Sequence, residues 1–544
     1  MRLSRSSPIL LPALTVFVLT LGLFLFLQAK PVFPDPDSFY HIKVSQLISQ
    51  QGVLETFPWL AFTPLAERYT DQHFLYHVLL IPFVHLPNPF LGAKLATALM
   101  NATLFALIAG FLIRFHVRFW YVPIAVLLVT NPFLFRINLV KAPGLSIILL
   151  LIGLWLLFRR RVWPLAALGF LYVWTYGGFA LLAVFAGLYA LVSTVWDWAH
   201  HRALYQIYRK FIPWRWHWKT LSRHPGLLAL LAVVLGIVAG VLINPFFPQN
   251  LFFYWQQLVQ IGIVNFQKVI NVGGEWRPYG FIELLANTVF VSISVVTATA
   301  FFFIRHRKMS AETWTLFLLA AFFFGITLKS RRYVELYVPF ATLYAAFAWR
   351  DAFAGEQWRE LWRVVCATFQ KHVAVGTLMI VYVLATSSVI IVRDTAQLNK
   401  DLKSGFSTTY LAKASQWLAA HAPKNAIIVH SDWDEFPILF YHNSENRYIV
   451  GLDPTFMYNK DRWLYQRWAD LSSGKISDNA EQIITQDLRS SYVLVASDHD
   501  AFNRVMQQLP SAVQVYKDED ATIYKMLSAK LPETTAVDTL VPRA

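Results

Sequence analysis

The stretch ILLPALTVFVLTLGLFLFLQAKPVFPDPDSFYHIK, residues 9–43, joins an apolar run to a cluster of ionisable side chains. The run from Ile9 to Leu27 follows Arg2 and Arg5 and approaches the ~20 apolar residues that cross hydrocarbon. No small-residue cleavage site stands before QAKPVF, so the run reads as a retained first span. Just beyond it come Asp35, Asp37, His41 and Lys43, within a few residues of the expected bilayer surface. Such a cluster is either a solvated acidic turn or a set of carboxylates at the mouth of a membrane cavity.

Composition extends the membrane reading to the whole chain. Of 544 residues, 56% are hydrophobic and 15% charged, whereas soluble domains sit near 45–50% and about 25%. Further apolar runs lie near 90–113, 119–135, 142–158, 163–177, 178–196, 226–244, 286–304, 311–328, 333–349 and 373–392, giving about eleven spans. With a cytoplasmic N-terminus, Arg114, Arg118, the run Arg159–Arg161, the loop 197–225, Arg305–Lys308 and the basic residues after Arg350 share one side. That is the positive-inside pattern. The net charge of +15 is therefore a topology signal, and no nucleic-acid partner is expected. The Trp- and Arg-rich 197–225 loop reads as an amphipathic segment lying on anionic headgroups. Cys366 is the single cysteine, which excludes an intrachain disulfide.

The predicted protein is a polytopic α-helical membrane protein of the plasma (inner) membrane, followed by a C-terminal α/β extracytoplasmic domain. Residues 1–393 form the transmembrane part, with outer loops 29–89 and 245–285. Residues 394–528 lose the long apolar runs. There AIIVH, RYIVG and SYVLVA read as strands between helical stretches, the alternation of a small α/β fold. Residues 529–544 read as a disordered tail.

The expected outer face gathers the chemistry-bearing residues. The first loop carries Asp37, His41, Asp71, His73 and His77; the second carries Glu275 in GGEWRP; Arg331 and Arg332 end a short link, and Lys141 lies on the same side. Basic residues there run against the positive-inside bias. No P-loop, dinucleotide glycine fingerprint, nucleophile elbow or zinc spacing occurs. Carboxylates can ligate a divalent cation or take a proton, and arginines can clamp a phosphate. Asp35 and Asp71 also suit helix capping, and Trp433 with Asp434 suits capping and packing.

Four of these segments together resemble the GT-C superfamily of membrane glycosyltransferases, and within it the catalytic subunit of oligosaccharyltransferase. DSFYHIK (37–43) is similar to the family's first acidic motif, which implies that Asp37 is the catalytic acidic residue, one that ligates metal or orients the acceptor. GGEWRP (273–278) resembles the loop whose glutamate positions the acceptor, implying that role for Glu275. KSRRYVELYVPF resembles the late span whose outer arginine contacts donor phosphates, implying Arg331 or Arg332. SDWDEF resembles the start of the outer acceptor-reading region, where Trp433 and Asp434 match. The resemblance implies a GT-C-like fold and sugar transfer from a polyprenyl-linked sugar donor drawn from the membrane lipids. It also implies Mg or Mn held at Asp37 with His41.

The chain departs from that family in two places. Where a second acidic motif is expected it reads RINLVKAPGLS, with Arg136 and Lys141 and no carboxylate. Asp71 or His73 could substitute, or the reaction could run without metal. The motif's Tyr-Gly is replaced by Glu435-Phe436, so the acceptor, whether protein, glycan or lipid, stays open. The rival readings are a transporter or flippase of an anionic lipid-linked glycan, and a non-catalytic accessory on the same fold. A transporter places ionisable groups near the bilayer midplane, whereas the predicted spans are nearly free of internal charge.

Overall fold

The computed structural model describes residues 9–208, 224–355 and 358–527. Most of the expected amphipathic segment 197–225 and the tail 529–544 lie outside those residues. Every predicted span is helical. Among the described residues six helices are long and apolar enough to cross a membrane, and up to eight spans result if each of two bent helix pairs counts once. The chain is a multi-pass membrane protein. The number is below the sequence reading because Pro143–Phe158 and Val162–Thr175 have 16 and 14 residues, short of the ~20 that span hydrocarbon. The helix Val334–Ala352 carries Glu335, Arg350 and Asp351.

The chain divides into two compact units. The first comprises the described residues up to Pro34, together with Gln72–Asn265 and Gly273–Gly405. The second comprises Asp35–Asp71, Phe266–Val272 and the chain from Phe406. The sequence reading opened the soluble part at residue 394. The helix Val373–Lys403 instead runs on through Arg393 and Asp394; the first charges mark where hydrocarbon ends, not where the helix does.

In the first unit, the tightest helix pair is Val162–Thr175 against Pro225–Leu242, and glycines make it possible. A Cβ added at Gly236 would lie 2.0 Å from the Ala166 carbonyl oxygen, and one at Gly240 would lie 2.8 Å from the Phe170 oxygen. Gly236 and Gly240 are four apart, so one helical face lies bare to its neighbour. Lipid tails are as apolar as leucine, so close backbone approach, not the hydrophobic effect, holds such helices together. One break matters for the site. Tyr121–Leu128 and Asn131–Asn138 meet at 76°. Pro132 has no amide hydrogen for the Leu128 carbonyl and its ring clashes there, so the first helix stops at Leu128 and Pro132 sits in the first turn of the second. That short helix carries Arg136.

The second unit is built on a five-stranded sheet. Its strand order is Arg447–Tyr448, Ile427–Val429, Tyr492–Ala496, Ala521–Met526, Ala512–Lys517. The first three are parallel and the last two antiparallel. The register pairs Ile428 with Tyr492 and Val493 with Tyr524. Tyr492–Ala496 is buried throughout, as a central strand covered on both faces should be. Residues 35–71 join this unit because Leu60 bridges to Tyr448 at the sheet edge. The Trp59 indole donates to the Ser444 carbonyl at 2.8 Å, and the fully buried Phe57 packs edge-on against Phe436 and Phe440.

The glycine contact gives a matched test. Gly236→Ala should cost about 1–3 kcal/mol and lower the thermal midpoint of the detergent-solubilised protein. Gly187→Ala, where a new Cβ meets nothing within 4 Å, should leave the midpoint unchanged.

Candidate functional site

The first unit contains a cavity of about 350 Å³ with a mostly apolar lining. Leu181, Val184, Phe322 and Ile326 line it, and so do the polar His73, Tyr176, Lys329, Arg332 and Glu335. Backbone geometry delivers Lys329 and Arg332. The helix Ala311–Lys329 ends at Ser330, whose extended backbone turns the chain into the 3-10 turn Arg331–Tyr333. The Ser330 hydroxyl donates to the Glu275 carbonyl at 2.9 Å, and the Arg331 amide donates to the Arg277 carbonyl at 3.0 Å. These bonds dock the GGEWRP loop onto the turn. The loop's entry is fixed by Asn265, which ends the π-helix Gln256–Val264 in a left-handed conformation that Asn tolerates. Its side-chain amide donates to the Trp276 carbonyl at 2.9 Å.

An ion network follows. Arg136 donates to Glu335 at 2.7 Å and to Glu275 at 2.5 Å. Arg332 donates to Glu275 at 3.3 Å and to the Tyr176 hydroxyl at 3.3 Å, and its guanidinium lies 4.9 Å from the centre of the Trp276 ring. Burial on its own would raise the Glu275 carboxyl. The guanidiniums of Arg136 and Arg332 and the Lys141 ammonium outweigh it and hold the group well below the usual carboxylate range. Glu275 keeps Arg332 in place, and Trp276 covers one of its faces.

Of the residues singled out in the sequence, Glu275, Arg332 and Lys141 therefore converge. Arg331 turns the other way: it is half exposed, pairs with Glu283 at 2.9 Å and stacks over Tyr279. Sequence reading missed Arg136, noted there only for not being a carboxylate, and it missed Glu335, Tyr176 and Lys329. The available signal was Glu335 itself, a buried acid inside an apolar run, which has to be paired.

His73 and the buried His77 stay in the first unit; the second holds Asp35, Asp37, His41, Asp71, Trp433 and Asp434. Asp35 accepts from the Asp37 amide at 2.9 Å, the turn geometry that starts the helix Asp37–Gln51. The Tyr40 and Tyr69 hydroxyls are buried and 2.5 Å apart. Burial, then the Asp71 charge, raises both phenols well above their usual value, and Asp37 adds to the effect on Tyr40. Asp37 and Asp71 thus act on one tyrosine. His41 is buried against Tyr40. Trp433 and Asp434 lie on the 3-10 turn Trp433–Glu435, which Asp432 caps. Burial, then the charges of Asp432 and Glu435, pushes Asp434 up to about 7.

Two carboxylate sets can be weighed as metal ligands. Glu275 and Glu335 do not fit, because arginines occupy their oxygens. Asp37 and Asp71 fit the pattern by which Mg²⁺ takes one or two carboxylates and completes its shell with water and phosphate. Among the described residues no group of three His, Cys, Asp or Glu side chains stands ready to hold an ion alone.

Comparison with known proteins places this architecture. No family model and no curated protein matches the chain. Solved structures do. The archaeal oligosaccharyltransferase AglB from Archaeoglobus fulgidus, in complex with an inhibitory peptide and a dolichol-phosphate, superposes with a TM-score of 0.58 at 13% identity, covering 96% of this chain and 75% of AglB. ArnT from Cupriavidus metallidurans, bound to undecaprenyl phosphate, gives 0.51 at 15% identity, covering 95% of this chain and 98% of ArnT. The mycobacterial arabinofuranosyltransferase AftD gives 0.52 at 11% identity, over 97% of this chain and 40% of AftD. The chain has the GT-C fold.

The network makes a pH-dependent prediction. A depressed carboxyl contributes stability that is full above its unfolded value of about 4.3 and fades as pH falls through the folded value. At pH 7, Glu275→Gln should cost about 2 kcal/mol, less than for a fully buried pair because a quarter of the side chain is exposed. The gap between wild-type and variant thermal midpoints should close only in strong acid; a gap that closes near neutrality would contradict the network.

Proposed function

We propose that the chain is a glycosyltransferase that moves a sugar or glycan from a polyprenyl-phosphate or polyprenyl-diphosphate donor to an acceptor at the extracytoplasmic face. The observation that carries the reading is a mostly apolar cavity whose lining includes Arg332 and Lys329. An isoprenoid chain matches its apolar lining, and a phosphate matches the two cations. The fold supports it, as do the polyprenyl phosphates that AglB and ArnT hold.

In this reading, an acceptor nucleophile attacks the anomeric carbon of the donor sugar. A bond forms there as the bond from that carbon to the phosphate oxygen breaks. The phosphate leaves with the bonding electrons, and Arg332 and Lys329 stabilise its growing charge. Asp37 takes the acceptor's proton, with Asp71 beside the same tyrosine. Glu275 and Arg136 hold Arg332 on its target. A divalent cation, when bound, would be held by Asp37 and Asp71 and would supply Lewis-acid stabilisation of developing charge. The second unit, through Trp433 and Asp434, serves the acceptor.

The test is sugar transfer by the purified protein from a fluorescent polyprenyl-linked donor. Asp37→Asn should lower turnover by about 10²–10⁴ with the thermal midpoint retained, and Arg332→Ala by about 10²–10³, assayed below the lowered midpoint that loss of its Glu275 contact brings. Arg331→Ala, whose side chain is paired with Glu283, should stay within a few fold of wild type. Full activity in both Asp37→Asn and Arg332→Ala would sink the proposal.

A further inference from the structure

The second unit has a cavity of its own, about 290 Å³ in volume. That is at the lower edge of the ~300–1,000 Å³ typical of ligand pockets. It takes a single compact unit and has no room for an extended peptide. Its accessible aromatic wall is the half-buried Trp433, and Tyr465 and Trp468 close its floor. The Trp468 ring is fixed in place, its Nε1 donating to the His430 carbonyl at 3.0 Å.

The rim carries paired charges. Asp432 and Asp470 face Lys475 and His499 across the lining. Lys475 lies 3.6 Å from Asp470. His499 Nε2 lies 3.9 Å from Asp432, an ionic neighbour beyond hydrogen-bond distance, and Nδ1 lies 2.8 Å from Asp498. Those carboxylates outweigh burial and raise the imidazole to about 9, so it is cationic at neutral pH. With Glu435 also 3.8 Å from His499 Nδ1, carboxylates outnumber the two cations, which disfavours a phosphate; the two cations answer Asp470 and the acids around His499. What remains are hydrogen-bonding groups already held in position, such as Gln466, whose amide donates to Asp470 at 3.0 Å. A flat indole beside fixed carboxylate and amide groups matches a ligand with an apolar C–H face and a ring of hydroxyls.

We propose that this pocket binds the terminal residue of a neutral saccharide, and that a glycan is therefore the acceptor class. The inference rests on the glycosyltransferase reading for its biological sense, but the binding it predicts stands apart from donor chemistry. The pyranose stacks on Trp433, and its hydroxyls meet Asp432, Asp470 and Gln466. The replacement of Tyr-Gly by Glu435-Phe436 belongs to the same picture. Glu435 is buried and accepts from the Ser431 amide at 2.9 Å, and Phe436 is buried too. Both build the turn beneath the pocket.

The test uses the full-length protein in nanodiscs. Saturation-transfer difference NMR would be run with methyl pyranosides and neutral di- and trisaccharides, and separately with a Ser/Thr-containing peptide. Saccharide signals should appear and the peptide's should not. Trp433→Ala and Asp470→Asn should each weaken saccharide binding at least about tenfold, and the gentler Trp433→Phe should weaken it less while keeping the fold. Trp463→Ala, an exposed tryptophan outside the cavity, should change nothing. Polyprenyl-phosphate binding is measured on the same samples. Donor binding without saccharide binding, or peptide binding sensitive to Trp433, overturns the inference and leaves the glycosyltransferase reading standing. Saccharide binding without donor binding upholds the inference and overturns that reading instead.

Discussion

The first unit depends on a buried exchange of charge: one guanidinium, Arg136, held between Glu335 and Glu275. Taking an isolated carboxylate from water into a bilayer-embedded protein costs several kcal/mol, and Glu335 is 2% exposed. Its burial is tolerable because Arg136 reaches it. Arg136 reaches it because Pro132 breaks the preceding helix. Glu275 then closes the network onto Arg332, and the Ser330 and Arg331 hydrogen bonds hold the two loops together. Removing any one contact would leave a charge uncompensated in a place with little water to take over.

Membrane class and fold were legible because hydropathy is a property of long stretches, and every predicted span is a helix. Span counting was less secure, since a 14-residue helix inside a bundle has the same composition as half of a longer one. The break before Pro132 was missed: one span, 119–135, was read straight across it. The site was legible only in part. Glu275 and Arg332 stood out as charges next to spans. Arg136 passed as the absence of an acid, and its role emerges only when Glu335, 199 residues away in the chain, is brought beside it. Such pairings are set by tertiary packing and leave no local pattern.

The second unit shows the same limit from the other side. Its strands were readable from alternating composition. That Asp35–Asp71 folds with it was not, because Leu60 and Phe57 become core residues only against a sheet edge and helix that come almost 400 residues later. Trp433 was noted as a motif match; its place beside a cavity comes from helix 462–472 and the turn after Ala496.

The break at Pro132 has a bearing on bilayer thickness. Long spans answer hydrophobic mismatch by tilting, which shifts groups at their ends up or down. Arg136 sits instead on an eight-residue helix set off at 76° from its predecessor. Its depth is tied to the elbow rather than to the reach of a full span. The ion network is therefore insulated from the elastic state of the surrounding lipid, and thinner and thicker membranes present the same arginine to the same two glutamates.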